Sequence, residues 1–370
     1  MKVLLSVASA RLAYGGPALS VTALARSLAR SGIDAGLWCP DGSAAEVAQA
    51  AAGAPLQCLA GSLEEALGHF GTPDIIHDNG IWWPHNHRIA RLARRAGIPR
   101  LVSPRGMLEP WARRHKPLRK ALAWRLYQRR DLQGAAALHA TSAQEQANLA
   151  ALFPGLSPAL IGNGLDLPLA ADMAFSGNAG ATGERQALFL GRLHPVKGLD
   201  LLLRAWKRAA PQGWRLVLAG PDEAGHQAVL EQEIASLGIG AAVSFAGPVT
   251  GAAKARLFAQ SQLFVLPSHS ESFGMSVGEA LAHGLPVLTT RNVPWPRLEE
   301  TGAGWRTVVS EAGIAEALAR AVACPDAELA LMGQRGRRLV AEEFGWEGLT
   351  KRFIALYAGL VSQEPKPADQ

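Results

Sequence analysis

The fold of this chain is decided by Leu263–Glu279, LFVLPSHSESFGMSVGE. Leu263–Pro267 is a short continuous apolar run, which is typical of a strand buried in a parallel sheet. A loop with Gly274 follows, then a helical pattern over Met275–His283 and another apolar run, Pro286–Thr290. A strand, a glycine-containing loop and a helix in this order form the repeating unit of a parallel α/β sheet.

The same alternation extends upstream through both halves of the chain. In the C-terminal half it predicts strands at Ala187–Leu190, Arg215–Ala219 and Val243–Ala246, and helices at Gly198–Ala209, Ala224–Leu237 and Gly251–Gln260. In the N-terminal half it predicts strands at Val3–Ala8, Ala35–Cys39, Ile75–His77, Arg100–Ser103 and Ala136–Ala140, with helices at Pro17–Ser31 and from about Ser142. The pattern therefore predicts an α/β protein with two doubly wound, Rossmann-like parallel sheets.

The two predicted sheets give the domain organisation. We expect an N-terminal domain over 1–167, a linker over 168–183 and a C-terminal domain over 184–345. The linker is rich in Ala, Gly, Asn, Ser and Thr and has no clear periodicity. A last helix is predicted at Trp346–Val361. Two such domains predict a cleft at their interface, with ligands at the carboxyl ends of the strands.

Composition excludes several classes of protein. Of the 370 residues, 48% are hydrophobic, which excludes a disordered or a collagen-like chain. The apolar start has about seven residues before Arg11 and predicts a first strand better than a signal peptide. Three distant cysteines, Cys39, Cys58 and Cys324, form neither a disulfide framework nor a metal motif. We therefore expect a cytoplasmic protein.

Positive charge is concentrated in one segment, the basic island 88–130. It holds fourteen Lys and Arg against one acid, Glu109, or +13 in a chain whose net charge is +6. Because Trp111 and Trp124 lie among these cations, we expect the island to contact an anionic membrane surface. The alternatives are a solvated basic helix face and a nucleic-acid site. No nucleic-acid-binding module or stacking platform is visible, so we expect no nucleic acid as partner.

Three loops at predicted strand ends have groups that suit anions. Gly15–Gly16–Pro17 opens the first helix, and Gly191–Gly198 carries Arg192 and Lys197. In the third loop, the amides of Phe273, Gly274, Met275 and Ser276 would lie at a helix start. Each loop has an ordinary alternative interpretation. The first would be a tight turn, the second a basic surface loop, and the third a loop that contains two glutamates eight residues apart by chance.

Taken together, these motifs resemble the retaining glycosyltransferases of family 4, the glycosyl transferases group 1, which have the GT-B fold. The resemblance rests on the E-x7-E pair Glu271 and Glu279, and on other motifs in the family's order. These are Gly15–Gly16–Pro17, Gly191–Gly198, Thr141-Ser142-x-x-Glu145, Asn163-Gly164-x-Asp166 and Gly284-Leu285-Pro286-Val287.

The resemblance implies a nucleotide-sugar site. Arg192 and Lys197 would bind the donor diphosphate as leaving group, with the amides of Phe273–Ser276. Glu271 would hold hydroxyls of the transferred sugar, and Glu279 would hold the ribose. The resemblance also places Gly15 and Gly16 under the phosphates or the acceptor, and Pro248 and Val249 near the nucleobase. It further implies that the C-terminal helix crosses back to the N-terminal domain.

One position departs from the family pattern. Members often carry a His near the reacting centre, where this chain has Arg105 in Val102-Ser103-Pro104-Arg105-Gly106. An Arg cannot act as a base at neutral pH but can bind a phosphate or a charged acceptor. His77 is the other candidate for a catalytic role. The alternatives are a structural salt bridge for Arg105 and a satisfied strand-end histidine for His77.

We therefore expect a retaining hexosyltransferase that uses a UDP- or GDP-sugar as substrate and a lipid-linked or saccharide acceptor. Its expected role is in lipopolysaccharide, O-antigen or exopolysaccharide biosynthesis, as a peripheral protein on the inner face of the cell membrane. The chain has no Asp-x-Asp, so we expect neither a metal nor another cofactor. The alternatives are a nucleotide-sugar epimerase of the same fold, a non-catalytic nucleotide-binding scaffold and a nucleic-acid-binding protein.

Overall fold

The computed structural model describes residues 1–11, 14–50, 55–114, 117–168 and 183–363. The chain forms two compact units, Met1–Gly164 with the segment from Trp346, and Leu165–Gly345. The sequence places the corresponding boundaries at 167 and 184, and residues 169–182 of the expected linker lie outside the described residues. In the described part of the chain, no helix is long and apolar enough to cross a bilayer.

The N-terminal unit is built on a seven-stranded parallel sheet with the order β3-β2-β1-β4-β5-β6-β7. Its strands are β1 Lys2–Val7, β2 Asp34–Trp38, β3 Gln57–Leu59, β4 Ile75–Asn79, β5 Arg100–Ser103, β6 Ala137–Ala140 and β7 Ala159–Leu160. In the central strand, Val3 pairs with Ala35 on one side and Ile75 on the other. Val3, Leu4 and Leu5 are fully buried, because helices cover both faces of the sheet.

The helices of this unit follow the strands in turn. They are α1 Gly16–Arg30, α2 Ala44–Ala50, α3 Leu63–Phe70, α4 Pro84–Ala96, α5 Pro110–Arg114, α6 Pro117–Ala123, α7 Arg129–Gln133 and α8 Ala143–Leu152. A π-helical turn, Trp124–Gln128, joins α6 to α7 without a break. Ser142 caps α8 by accepting a hydrogen bond from the Glu145 amide, which explains the helix start predicted there.

The C-terminal unit has a six-stranded parallel sheet with the order β10-β9-β8-β11-β12-β13. Its strands are β8 Arg185–Leu190, β9 Trp214–Ala219, β10 Val243–Gly247, β11 Leu263–Leu266, β12 Val287–Thr290 and β13 Gly304–Thr307. Its helices are α9 Leu199–Ala209, α10 His226–Leu237, α11 Gly251–Gln260, α12 Met275–Ala282, α13 Arg297–Glu300, α14 Glu311–Ala323 and α15 Asp326–Phe344.

The last helix, α16 Trp346–Val361, belongs to the N-terminal unit. It buries Phe353 and Tyr357 and packs against α1 and β4. Thr350 Oγ1 lies 2.6 Å from Ser27 Oγ of α1. This helix therefore returns from the C-terminal unit to the sheet of the N-terminal unit.

Both sheets reverse their strand order at one place. The first strand of each sheet, β1 or β8, lies between two strands that follow it in sequence. The switch is therefore between β1 and β4 in one unit and between β8 and β11 in the other. Open parallel sheets bind ligands at the carboxyl ends of the strands at such a switch. The loops that follow these four strands are therefore the expected positions of a ligand-binding site.

Candidate functional site

The loops after β8 and β11 lie side by side and are joined through the backbone. The His269 amide donates to the Val196 carbonyl at 2.8 Å. Gly198 has φ +65°, and a Cβ there would lie 2.5 Å from the Pro267 carbonyl oxygen. Only glycine fits so close an approach with a left-handed backbone. The two loops are thereby held in contact where Lys197 and Glu271 project.

Lys197 and Glu271, two of the predicted site residues, form an ion pair. Lys197 Nζ lies 2.5 Å from Glu271 Oε1, and both side chains are largely buried. Ser268 donates its hydroxyl to the same carboxylate oxygen at 2.8 Å. Ser268 was not predicted, although it lies within the stretch that decides the fold. The predicted diphosphate-binding cation and sugar-binding carboxylate therefore meet directly.

Arg192, the second predicted cation, is also paired. Its guanidinium donates to Glu223, which lies in the loop after β9. The backbone brings these loops together, since the Leu193 amide donates to the Pro221 carbonyl at 2.9 Å. Arg192 stays half-buried. Glu223 is a second polar partner that the sequence did not reveal.

The glycine-containing turn before α12 has the predicted form. Gly274 has φ +81°, and the helix begins at Met275. Phe273 is buried beside Trp295, whose indole N–H donates to the Phe273 carbonyl at 2.6 Å. The amides of Met275 and Ser276 fall in the first helical turn, where N–H groups have no intrahelical acceptor and the helix dipole favours an anion.

Glu279, one and a half turns into α12, lies apart from Glu271 and has its own partner. Lys254 Nζ of α11 lies 2.9 Å from Glu279 Oε1. Pro248 and Val249 fill the short connection between β10 and α11, and Pro248 is exposed. The predicted nucleoside-binding positions therefore lie on the connection before α11 and on α12. Lys254 was not predicted.

The carboxyl edge of this sheet thus offers complementary chemistry. Two cations and the first-turn amides of α12 suit phosphate oxygens, and two carboxylates suit hydroxyl groups. Among the side chains that the structure describes, no group of three His, Cys, Asp or Glu is placed to hold a metal ion.

In the N-terminal unit, the glycine turn and Arg105 approach the same helix. Gly15 has φ +87° and Gly16 begins α1. Arg105, at the carboxyl end of β5, donates to Ser20 of α1 at 3.1 Å. It also donates to Asn163 Oδ1 at 2.6 Å and to Asn79 Oδ1 at 2.7 Å. All three of these acceptors are neutral.

Arg105 is buried, and it is one of the few non-glycine residues with positive φ, +56°. Burial lowers the pKa of its guanidinium to about 10, so the side chain remains charged at neutral pH. The side chains that accept hydrogen bonds from Arg105, those of Asn79, Asn163 and Ser20, carry no charge, so these contacts are not salt bridges. A strained, buried cation of this kind is more typical of a functional site than of a surface loop.

His77, the other candidate for a catalytic role, lies in the interior of the N-terminal unit. The side chain is fully buried in β4, with Nδ1 2.7 Å from the Tyr357 hydroxyl and Nε2 2.7 Å from Ser103 Oγ. Burial and the neighbouring His139 and Arg105 hold the pKa of His77 well below its ordinary value. Its two nitrogens are used inside the unit, so His77 fits the alternative of a satisfied structural histidine.

The hydrogen bonds around His77 run in one direction. His139 Nε2 lies 2.8 Å from the Ile161 carbonyl, which can only accept, so this nitrogen carries the proton. His139 Nδ1 then accepts from Ser103, 2.6 Å away. Ser103 in turn accepts from His77 Nε2, and His77 Nδ1 accepts from Tyr357. This pattern requires both histidines to be neutral, which agrees with the lowered pKa of each.

The basic island is less uniform than its charge count indicates. Arg100 is buried in an ion pair with Asp78 at 3.1 Å, and Arg105 is buried as described. Arg94 lies 3.4 Å from Asp131. Arg100 and Arg105 therefore do not add to the exposed charge of the island. The exposed arginines among the described residues of the island form two groups, one on α4 and one between Arg113 and Arg130.

Comparison with known proteins shows the family of the chain. Residues 15–164 match the family model described as glycosyl transferase 4-like domain, and residues 174–338 match glycosyl transferases group 1. The chain belongs to the group 1 glycosyl transferases. The resemblance found in the sequence is thereby confirmed.

Curated relatives of this glycosyltransferase match part of the chain. The D-inositol 3-phosphate glycosyltransferase of Gordonia bronchialis is 35% identical over 185 residues, or 46% of this chain and 39% of that protein. The enzyme of the same name from Mycobacterium tuberculosis is 32% identical over 188 residues, or 49% of this chain and 38% of that protein. The chain thus spans well under half of the length of these relatives.

Solved structures match the glycosyltransferase over nearly its whole length. Sucrose-phosphate synthase from Thermosynechococcus elongatus has a TM-score of 0.80 at 19% identity, covering 97% of this chain and 99% of that one. Anabaena HepE, solved in complex with UDP-glucose, has a TM-score of 0.75 at 20% identity, covering 97% and 100%. These likenesses confirm the predicted GT-B fold.

Proposed function

We propose that this glycosyltransferase moves a hexose from a UDP- or GDP-sugar to its acceptor with retention and without a metal ion. The observation that carries the proposal is the contact between Lys197 and Glu271 at the adjoining ends of β8 and β11. One group suits a diphosphate and the other suits sugar hydroxyls, so their contact fits a ligand that joins a diphosphate to a sugar.

The donor diphosphate would lie on Arg192, Lys197 and the first-turn amides of α12. When the bond from the anomeric carbon to the phosphate oxygen breaks, negative charge develops on the diphosphate. Fixed cations and amides aimed at these oxygens stabilise that charge. Because Lys197 is paired with Glu271, a bound diphosphate would compete for Nζ and release the carboxylate toward the sugar hydroxyls.

The sugar and nucleoside would extend on either side of the diphosphate. Glu271 would accept hydrogen bonds from hexose hydroxyls, and Glu279 from the ribose, where Lys254 holds it at 2.9 Å. Pro248 and Val249 would lie at the nucleobase. In the transfer step, the acceptor oxygen bonds to the anomeric carbon on the face that the diphosphate leaves, and the acceptor proton goes to the departing phosphate oxygen.

In the N-terminal unit, Gly15, Gly16 and Arg105 would bind phosphates or the acceptor. Arg105 is a buried cation with neutral partners, which suits an anionic group on the substrate. Internal-return substitution suits this site, since an obvious nucleophilic carboxylate is not found in the sequence. The absence of Asp-x-Asp from the sequence supports metal independence.

The acceptor is proposed to be lipid-linked or a saccharide, in the synthesis of a bacterial-type surface polysaccharide. The support is the set of exposed arginines in the basic island, which suits an anionic leaflet. The protein would then work at the cytoplasmic face of the cell membrane. An inositol phosphate acceptor is the alternative suggested by the curated relatives, and Arg105 would suit its phosphate.

The proposed donor site is tested by thermal unfolding with UDP, GDP, ADP, dTDP and CMP in the presence of EDTA. A ligand stabilises the folded state by an amount set by its concentration relative to its Kd. We expect one diphosphate, UDP or GDP, to raise Tm without metal. The absence of any shift would contradict the proposal. Anomer analysis of the transfer product then tests retention, and release of free nucleotide without transfer would identify an epimerase.

A further inference from the structure

Three leucines form an exposed apolar stripe on the N-terminal unit. Leu118, Leu122 and Leu126 are 85%, 61% and 70% exposed. They recur every four residues along the continuous helical run of α6, the π-helical turn and α7, so they share one face of the helix. Single exposed leucines are ordinary, but an aligned set marks a binding surface.

The opposite side of this helical run holds it against the unit. Trp124 packs on Trp82 and Phe153, with ring centroids 6.1 and 5.8 Å apart. Gln128 is buried and accepts from the Trp82 amide at 2.9 Å. Since these aromatic and amide contacts fix the rotation of the helix, the leucines are directed away from the core by the fold itself.

Cations accompany the leucines on the outward side. Arg125 follows Leu122 by three positions, and Arg129 follows Leu126 by three, so each pair lies on one face. Arg119, Arg125 and Arg129 are exposed. Between Pro110 and Arg130 the sequence has no Asp or Glu. We call Leu118, Leu122 and Leu126 with Arg119, Arg125 and Arg129 the leucine face.

Resting on the proposed lipid-linked acceptor, we infer that the leucine face inserts into the headgroup region of an anionic bilayer. An interfacial helix combines an apolar side, which enters the acyl boundary, with cations that attract anionic lipids. Three leucines flanked by arginines, in a stretch of sequence without Asp or Glu, have this composition. Binding would therefore depend on apolar insertion as well as on charge.

Insertion of the leucine face predicts a different salt dependence from attraction by the charges of the basic island alone. Charge attraction alone falls away with salt, because exposed charges are screened over about 8 Å at physiological ionic strength. Inserted leucines hold the protein when salt is raised. Attachment by the leucine face would also place the N-terminal unit, with Arg105, beside the bilayer in which a lipid-linked acceptor resides.

The test is co-sedimentation of the full chain with vesicles of phosphatidylcholine containing phosphatidylglycerol, and with phosphatidylcholine alone. We compare the wild type with L118Q/L122Q/L126Q, since glutamine keeps helix propensity. The matched control is V229S/V308S/L331S, which changes three exposed apolar residues of the C-terminal unit. A charge variant, R119Q/R125Q/R129Q, separates the two contributions.

We expect the wild type and the control to bind anionic vesicles alike. The leucine variant should bind at least tenfold more weakly at both low and physiological salt, and the arginine variant should lose its preference for anionic vesicles. Equal binding by the leucine variant and the wild type would overturn the inference, as would wild-type protein that stays in solution. The inference would also be overturned if the wild type did not bind vesicles and light scattering showed it to be a dimer that the leucine substitutions dissociate.

Nucleotide binding separates this inference from the proposed function. Thermal stabilisation by UDP and GDP is measured for each variant. Normal stabilisation of the leucine variant shows that its loss of vesicle binding is local. Vesicle binding by a wild type that no nucleotide stabilises would support the leucine face and contradict the proposed donor site.

Discussion

Lys197 and Glu271 lie 74 positions apart in the sequence, yet the Lys197 ammonium is 2.5 Å from the Glu271 carboxylate. The contact exists because β8 and β11 are neighbours and their loops are joined at His269 and Val196. In the proposed function these residues serve the two halves of one donor. Each therefore holds the other in position until a ligand takes both.

Glu271→Ala should slow transfer strongly while leaving nucleoside-diphosphate binding largely intact. The carboxylate is proposed to hold the sugar, and charge-assisted hydrogen bonds of about 1.5–3 kcal/mol correspond to roughly 10- to 100-fold in rate. Removing it also frees Lys197 from its competitor, so diphosphate affinity should stay equal or rise. Steady-state kinetics and calorimetric titration measure the two effects. Glu316 is exposed on α14, and Glu316→Ala is the control. If Glu271→Ala lost as much nucleotide affinity as transfer activity, the proposed contact of Glu271 with the sugar would be contradicted.

Lys197→Ala should have the opposite signature. Its ammonium is proposed to bind the diphosphate itself, so the Kd of the preferred diphosphate should rise by roughly 10- to 100-fold. Calorimetric titration of the diphosphate checks this. Lys207→Ala removes an equal charge from the exposed side of α9 and should leave the Kd unchanged. If both variants bind alike, Lys197 does not contact the ligand.

The strands that the sequence failed to predict share a position. β3, β7 and β13 are outermost strands, with only two to four residues each. A strand in the middle of a sheet is covered on both faces and reads as an apolar run, such as Leu263–Leu266. An outermost strand has one neighbour and less apolar surface to bury, so Gln57–Leu59 carries little periodic signal.

The site divides in a similar way. Arg192, Lys197, Glu271 and Gly274 lie in the loops after β8 and β11, so the strand pattern and the family resemblance were enough to propose them. Their partners Glu223 and Ser268 are fixed by the meeting of separate loops, which has no regular spacing in sequence. His77 shows the limit most plainly: its hydrogen-bond partner Tyr357 is 280 positions away, on a helix that covers the strand end.

The close approach at Gly198 should make this glycine irreplaceable for a steric reason. Gly198 and Gly238 have nearly the same φ, +65° and +64°, but a Cβ on Gly238 has nothing within 4 Å. Gly238→Ala should therefore report backbone strain alone, about 1 kcal/mol. Gly198→Ala adds a clash with the Pro267 carbonyl and should destabilise more, by about 2 kcal/mol or above. Urea unfolding of both variants measures the difference, and equal losses would show that the loops can separate.

The buried histidines should make the protein sensitive to mild acid. Burial lowers the pKa of His139 from 6.5 to about 3, so the unfolded chain binds a proton that the folded chain excludes. Stability is then complete above pH 6.5 and is lost as pH falls toward 3, by about 1.4 kcal/mol for each pH unit. A second proton would bind to Nδ1 of His139, which accepts a hydrogen bond from Ser103 in the folded protein. Two donors would then face each other. Free energies of unfolding in urea at pH 7.5 and 5.5 should differ by about 1 kcal/mol less in His139→Gln than in the wild type. His69→Gln, on the surface of α3, is the control, and an unchanged pH dependence in His139→Gln would show that His139 takes up its proton in the folded protein.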